Sequence, residues 1–155
     1  MSKSIRVITL VLLAFTAFGV SAIAQKPKPA SAYKITNIKI VPFNEATGKF
    51  EDELTAKSDR SFFNDLSISL FVTFEVSGEA GSFEAGRKIA ITVTEGKKVK
   101  FSKIEQVGLI GSEGKYFVPG WLYSSMCSDI KITASLAGQK TASNMTRRVP
   151  FLCGE

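Results

Sequence analysis

The chain reads as an all-β protein, an antiparallel β-sandwich of about seven to nine strands. Three observations predict this. Apolar residues recur at period two through most of the stretch from Tyr33 to the C-terminus. Glycine-bearing turn signals interrupt that pattern at short spacing, and no segment of 33–155 carries a helical apolar stripe. Uneven strand lengths and one long interruption, about Phe43 to Phe63, favour a sandwich over a small closed barrel.

Two segments precede the pattern. Lys3 and Arg6 lead into an uncharged apolar stretch, Val7 to Val20, and Ala22-Ile23-Ala24 supplies the small-x-small pattern of a signal-peptidase site. The apolar run is about 14 residues, whereas a spanning helix needs roughly 20. Residues 1–24 are therefore expected to be a signal peptide cleaved before Gln25, which makes the protein secreted or periplasmic and not membrane-spanning after cleavage. Residues 25–32, QKPKPASA, read as an extended Pro/Lys tether. Residues 33–155 then form a single domain, long enough for a real core.

The strands follow in order. Tyr33, Ile35, Ile38 and Ile40 slip phase once, which predicts a β-bulge near Asn37. Phe50 to Leu54 suits one helical turn or a short strand. Leu66, Ile68, Leu70, Val72, Phe74 and Val76 share one parity, with serines, Thr73 and Glu75 on the other and Phe71 as the exception there. This is the clearest strand of the chain. Ile89, Ile91 and Val93 alternate up to a tight turn at Glu95-Gly96-Lys97, and Val99 and Phe101 alternate on the return. Val107 to Ile110 is expected to be a further strand, ending at Gly111. Tyr116 to Val118 is another, broken by Pro119-Gly120 and resumed at Trp121-Leu122-Tyr123. Ile130, Ile132, Ala134 and Leu136 alternate cleanly, and Met145, Val149 and Phe151 share a parity in the last strand.

Cys127 and Cys153 are the only cysteines, and an oxidising compartment allows them to pair. Matching apolar faces sets Ile130 opposite Phe151 and Ile132 opposite Val149, which brings the two cysteines within about a residue of facing one another. A disulfide is expected there, and a closed loop of that length is worth ~3.5 kcal/mol of chain entropy.

Alternating strands, close turns, one tryptophan and one cysteine pair together resemble the broad group of secreted immunoglobulin-like and fibronectin type III-like β-sandwiches over about 33–155. In an antibody-type domain the tryptophan lies between the two cysteines. Here Trp121 precedes both. The resemblance therefore implies a fold and carries over no site residue.

Composition removes several chemistries. There is no histidine, so no His-based triad or His-ligated zinc, and two cysteines cannot form a four-thiolate site. No cofactor, catalytic residue or metal ligand is assigned. The Ser128-Asp129-Ile130-Lys131 stretch fits S-x-x-K, but period two sends Ser128 and Lys131 to opposite faces. Glu51, Asp52 and Glu53, with Asp59 and Asp65 nearby, offer oxygen ligands, but the loop lacks a calcium-binding pattern, and Lys57 and Arg60 intervene, as in a solvated ion-paired loop. Asn144-Met145-Thr146 is a glycosylation sequon that matters only in a eukaryotic host. Without the leader, 18 basic and 14 acidic residues leave +4, too little for a nucleic-acid footprint.

Two surface candidates remain. Lys88, Lys98 and Lys100 fall on the polar parity of adjoining strands and would form a basic stripe, able to bind a polyanion or to guard a strand edge. Tyr116, Trp121 and Tyr123 would form an aromatic ligand platform, set against a core position for Trp121 behind the Pro119-Gly120 break. The function expected is a non-catalytic domain that binds a protein or glycan at the cell surface. The alternatives are a structural subunit assembling by edge-strand addition, and a hydrolase, which the missing histidine disfavours. Oligomeric state is left open.

Overall fold

The computed structural model describes residues 32–55, 62–64, 68–123 and 128–153, with the backbone alone at 62–64, 152 and 153. The expected leader, most of the expected tether, Leu66 and Cys127 lie outside the described residues, so the expected disulfide does too. Ten strands follow in chain order: β1 Lys34–Asn44, β2 Lys49–Phe50, β3 Phe62–Asn64, β4 Ile68–Ser77, β5 Lys88–Glu95, β6 Lys98–Gln106, β7 Lys115–Leu122, β8 Ile130–Ala137, β9 Ser143–Val149 and β10 Phe151–Cys153. Among the described residues there is no helix.

Eight of these strands make two antiparallel four-stranded sheets. The first has the order β2-β1-β4-β7 and the second β6-β5-β8-β9. Their facing residues build one core. Ile38, Ile40, Ile68, Leu70, Val72, Phe74, Val76, Val118 and Leu122 are buried from the first sheet. Ile89, Ile91, Val93, Ile130, Ile132, Ala134 and Leu136 are buried from the second. These are the parities expected from the alternation, with Phe101, Tyr116 and Met145 packed on the margin. The bulge expected near Asn37 is present, as a register shift between Ile35 and Asn37 where β1 pairs with β4.

The open side between β1 and β9 is laced by polar groups. The Tyr33 amide donates to Gln139 Oε1 and the Ile35 amide to Ser143 Oγ. Arg147, on the core-facing parity of β9 opposite Ile132, donates to the carbonyls of Ile38 and Leu54. Residues 51–55 run along β1 as a strap, through Glu51 N–H to Pro42 O and Leu54 N–H to Ile40 O. A guanidinium on the inward parity is stable here because two carbonyls satisfy it.

Several expectations need correction. Pro119-Gly120 does not break a strand, because β7 runs through both residues. β7 is the edge of its sheet, where a missing N–H forfeits no ladder bond. Val107 to Ile110 is not a strand: β6 ends at Gln106, and Val107 and Ile110 are buried as loop residues. The last hairpin pairs Ile130 with Val149 and Ile132 with Arg147, two residues from the expected register. After Pro150 the chain leaves that hairpin, and β10 pairs in parallel with β3. Proline cannot extend the ladder, so the alternation across it misled the register. Ser69, on the polar parity of β4, is fully buried, because its hydroxyl donates to the Glu45 carboxylate folded over it from the β1–β2 turn.

Candidate functional site: an aromatic face on the first sheet

The outward parity of the first sheet collects rings. Val41, Phe71 and Trp121 form one row across β1, β4 and β7, and Phe43 with Phe50 on β2 forms the next. Because β7 continues through Pro119 and Gly120, its inward positions are Val118, Gly120 and Leu122, and Trp121 points away from the core. The core position weighed for Trp121 is therefore incorrect, and the continuous strand is the reason.

Trp121 is the hub. Its ring centroid lies 5.5 Å from Phe43, 5.7 Å from Phe71, 6.1 Å from Phe50 and 6.0 Å from Tyr123. Phe43 and Phe50 meet at 5.0 Å. The interplanar angles run from 52° to 83°, so the rings pack edge to face rather than as one flat shelf. Each such pair contributes about 0.5–1.5 kcal/mol beyond its buried area. The cluster still leaves surface to solvent: Phe50 is 57% exposed and Tyr123 76%. A contiguous exposed apolar patch of this kind marks a contact site more often than a neutral surface.

Of the three aromatic residues singled out by sequence, Trp121 and Tyr123 come together and Tyr116 does not. Tyr116 has the opposite parity and packs against Gly108 at the core margin, where a Cβ on Gly108 would come within 2.6 Å of its ring. Phe43, Phe50 and Phe71 complete the face and were missed. Phe71 carried the available signal, as the one large apolar residue on the polar parity of the clearest strand.

Charges around the rings are compensated locally. Lys39 pairs with Glu53 at 3.3 Å and Lys115 with Glu75 at 3.2 Å. The Thr36 hydroxyl donates to Glu75 Oε1 at 2.7 Å. That hydrogen bond first, and Lys115 with it, hold the Glu75 carboxyl below its ordinary pKa against a smaller opposing effect of burial.

The three lysines of the expected stripe do not form one row. Lys98 lies opposite Glu95 beside the turn, whereas Lys88 lies opposite Gln106 at the far end of β5. Seven residues of strand at ~3.3 Å each put them about 23 Å apart. Lys100 sits in the register shift opposite Val93 and Thr94 and pairs with Glu95 at 2.9 Å. The same shift turns Val99 outward, 57% exposed, where alternation had placed it inside.

Elsewhere one row of the second sheet's outer face is built of hydroxyls. Ser102, Thr92, Thr133 and Thr146 form one row across it. A shallow cavity of about 280 Å³ lies between the strap and β9, lined by Asn37, Glu53, Met145 and Arg147 among others. Ser128 and Lys131 are not assembled as a dyad: the Ser128 amide donates to Glu95 Oε1, and Lys131 lies on the outer face of β8. Among the described residues no three His, Cys, Asp or Glu side chains gather as metal ligands. Among them also, no helix is long and apolar enough to cross a membrane, which says nothing of strands. Comparison with protein-family models and with curated proteins found no match to the chain.

Proposed function

We propose that the chain is a secreted or periplasmic, non-catalytic β-sandwich of the immunoglobulin-like kind that binds a partner at the cell surface through the aromatic face of its first sheet. The observation that carries this reading is the exposed ring cluster around Trp121, carried by the paired strands β2, β1, β4 and β7. The order β1-β4-β7 facing β6-β5-β8-β9 supports the immunoglobulin-like or fibronectin type III-like assignment, since paired hairpins alternate with crossings between sheets. The basic n-region, apolar run and small-x-small site support export. Export in turn supports a Cys127–Cys153 bridge, which intact-mass measurement with and without reductant would reveal as a gain of two hydrogens.

The test of the surface is direct. Labelled mature protein, starting at Gln25, is applied to cells of the producing organism, beside a Phe50→Ala/Tyr123→Ala double variant. Both residues are mostly exposed, so the fold should survive and the melting temperature should stay close to that of the parent. Cell binding should be lost in the double variant and kept in a Lys98→Thr/Lys100→Thr variant. Loss in the lysine variant alone would instead place binding on the basic turn.

A second reading is strand addition at β6. This strand edges the second sheet and leaves Val99 and Ile104 exposed, Ile104 by 70%. Size-exclusion at rising protein concentration separates the two readings, since a subunit joining by its edge forms larger species.

A further inference from the structure

Building on the proposed contact surface, we infer that the aromatic face takes a neutral, hydroxyl-rich glycan, and an oligosaccharide rather than a single sugar.

Charge is the first argument. The chain is basic overall, at formal +6, yet the charges around this face are mostly paired and leave no net positive sign. Lys39 and Glu53 neutralise each other, as do Lys115 and Glu75, whereas the Glu45 carboxylate keeps its charge and accepts from the neutral Ser69 hydroxyl. Lys49 and Glu51 bracket Phe50 with opposite charges. A polyanion or an acidic peptide would meet no net positive charge here, and a polycation would meet little beyond Glu45. Complementarity selects a partner without net charge.

The chemistry of the rings is the second. An aromatic face is electron-rich and attracts weakly polarised C–H groups, and a pyranose ring presents such C–H groups between its hydroxyls. Those hydroxyls need polar partners, and the patch supplies two. Trp121 Nε1–H and the Tyr123 hydroxyl form no hydrogen bond with any described protein group, although both residues sit in the cluster. Rings joined to unengaged donors suit a ligand that is apolar on its faces and polar on its edges.

Dimensions are the third. From Tyr123 to Trp121 is 6.0 Å, and from Trp121 on to Phe50 a further 6.1 Å. Three neighbouring rings, two of them mostly exposed, thus spread the contact surface beyond the footprint of a single ring. Their inclinations, 55° and 83° to Trp121, suit a chain whose units twist relative to one another better than a flat ligand. A second copy of this protein is the competing occupant. It would bring another net-positive chain against an uneven set of rings, with no opposite charge on this face to orient it.

The experiment uses the mature chain, its Phe50→Ala/Tyr123→Ala variant and a Trp121→Ala variant. Each is run in native gels cast with galactomannan, xylan or mixed-linkage glucan, and sedimented with insoluble cellulose and chitin. At least one neutral glycan should retain the parent, with binding roughly tenfold or more weaker in either variant. Retention should persist between about 0.05 and 0.5 M salt, since no charge pairing is involved. Retention by none of the five probes overturns the glycan inference. If cell binding is still lost in the double variant, the aromatic face stands as the contact surface with another occupant. A parent that dimerises in sedimentation equilibrium while the double variant stays monomeric assigns that occupant to a second copy. Cell binding unchanged in the double variant overturns both the glycan and the surface. Retention only by an acidic polysaccharide such as heparin, abolished by salt, also overturns the inference and moves binding to the basic turn.

Discussion

The two outer faces of the sandwich start from the same strand rule and end in different chemistry. On the second sheet one row of the outward parity carries Thr92, Ser102, Thr133 and Thr146, small β-branched or hydroxylated residues that water solvates easily, with Ile104 left exposed in the next row at the β6 edge. On the first sheet the same parity carries Phe43, Phe71 and Trp121, with Phe50 and Tyr123 at its margin. Both faces pack their inward residues into one core, so core formation does not account for the difference. Rings on a solvent face gain part of their stability from one another and leave the rest of their surface uncovered. The comparison separates two roles of a strand: one parity holds the protein together, and the other is free to become a surface of use.

The largest expected effect lies on the shared core. Leu70 is fully buried between the sheets, and Leu70→Ala should destabilise by roughly 2–5 kcal/mol, read as a shift in the denaturant midpoint at unchanged slope. One residue along, on the other parity, Trp121→Ala on the neighbouring strand should cost less. Its ring is half-buried and packs on aromatic neighbours, so about 1.5–2.5 kcal/mol is expected, roughly half of a core aromatic's loss. A Trp121→Ala loss equal to that of Leu70→Ala would mean that the ring cluster is a second core and not a surface.

This contrast also marks what the residues alone disclose. The alternation of Ile68 to Val76 and of Ile130 to Leu136 disclosed which apolar residues are buried, Ser69 under Glu45 being the departure on the polar parity. The bulge near Asn37 was legible as a slip in phase. What alternation could not reveal was position within a sheet. Whether Pro119 breaks a strand depends on whether that strand is an edge, which is a fact about neighbours and not about residues 115–122. The face of Trp121 followed from that. The register of β8 with β9 failed for a related reason, because Arg147 occupies an inward position that only the Ile38 and Leu54 carbonyls make tolerable. The aromatic face was half legible: Trp121 and Tyr123 stood out by density, whereas Phe43, Phe50 and Phe71 are distant in sequence and meet only through the pairing of β1, β2 and β4.

A smaller effect tests the polar part of the first face. Glu75 reaches Thr36 on β1 and Lys115 on β7, tying three strands together. Its carboxyl is held below the ordinary value, chiefly by the Thr36 hydroxyl and then by Lys115. A lowered folded pKa contributes stability that is present above the unfolded value, about 4.3, and that is lost as pH falls through the folded value. Thr36→Val should therefore lower stability at pH 7 by about 0.5–1 kcal/mol and leave the acid-unfolded limit nearly unchanged. The readout is the difference between melting temperatures at neutral and acid pH, which should shrink in the variant. A drop of equal size at both pH values would assign the loss to strand propensity instead.

The smallest effect is the sharpest control on the comparison. Thr133 and Thr146 meet hydroxyl to hydroxyl at 3.3 Å on the second sheet's outer face, at the long end of the hydrogen-bond range and open to water. Thr133→Val keeps the β-branch that suits a strand and removes only the hydroxyl, for which water compensates at an exposed site. Stability should change by no more than about 0.5 kcal/mol in either direction. Binding to cells and retention by neutral glycans should both match the parent. That outcome, beside the loss expected for Trp121→Ala, would assign the working surface to one sheet and leave the other as solvent cover. A Thr133→Val variant that loses cell binding with its stability intact would reverse the assignment and make the hydroxyl row the contact surface.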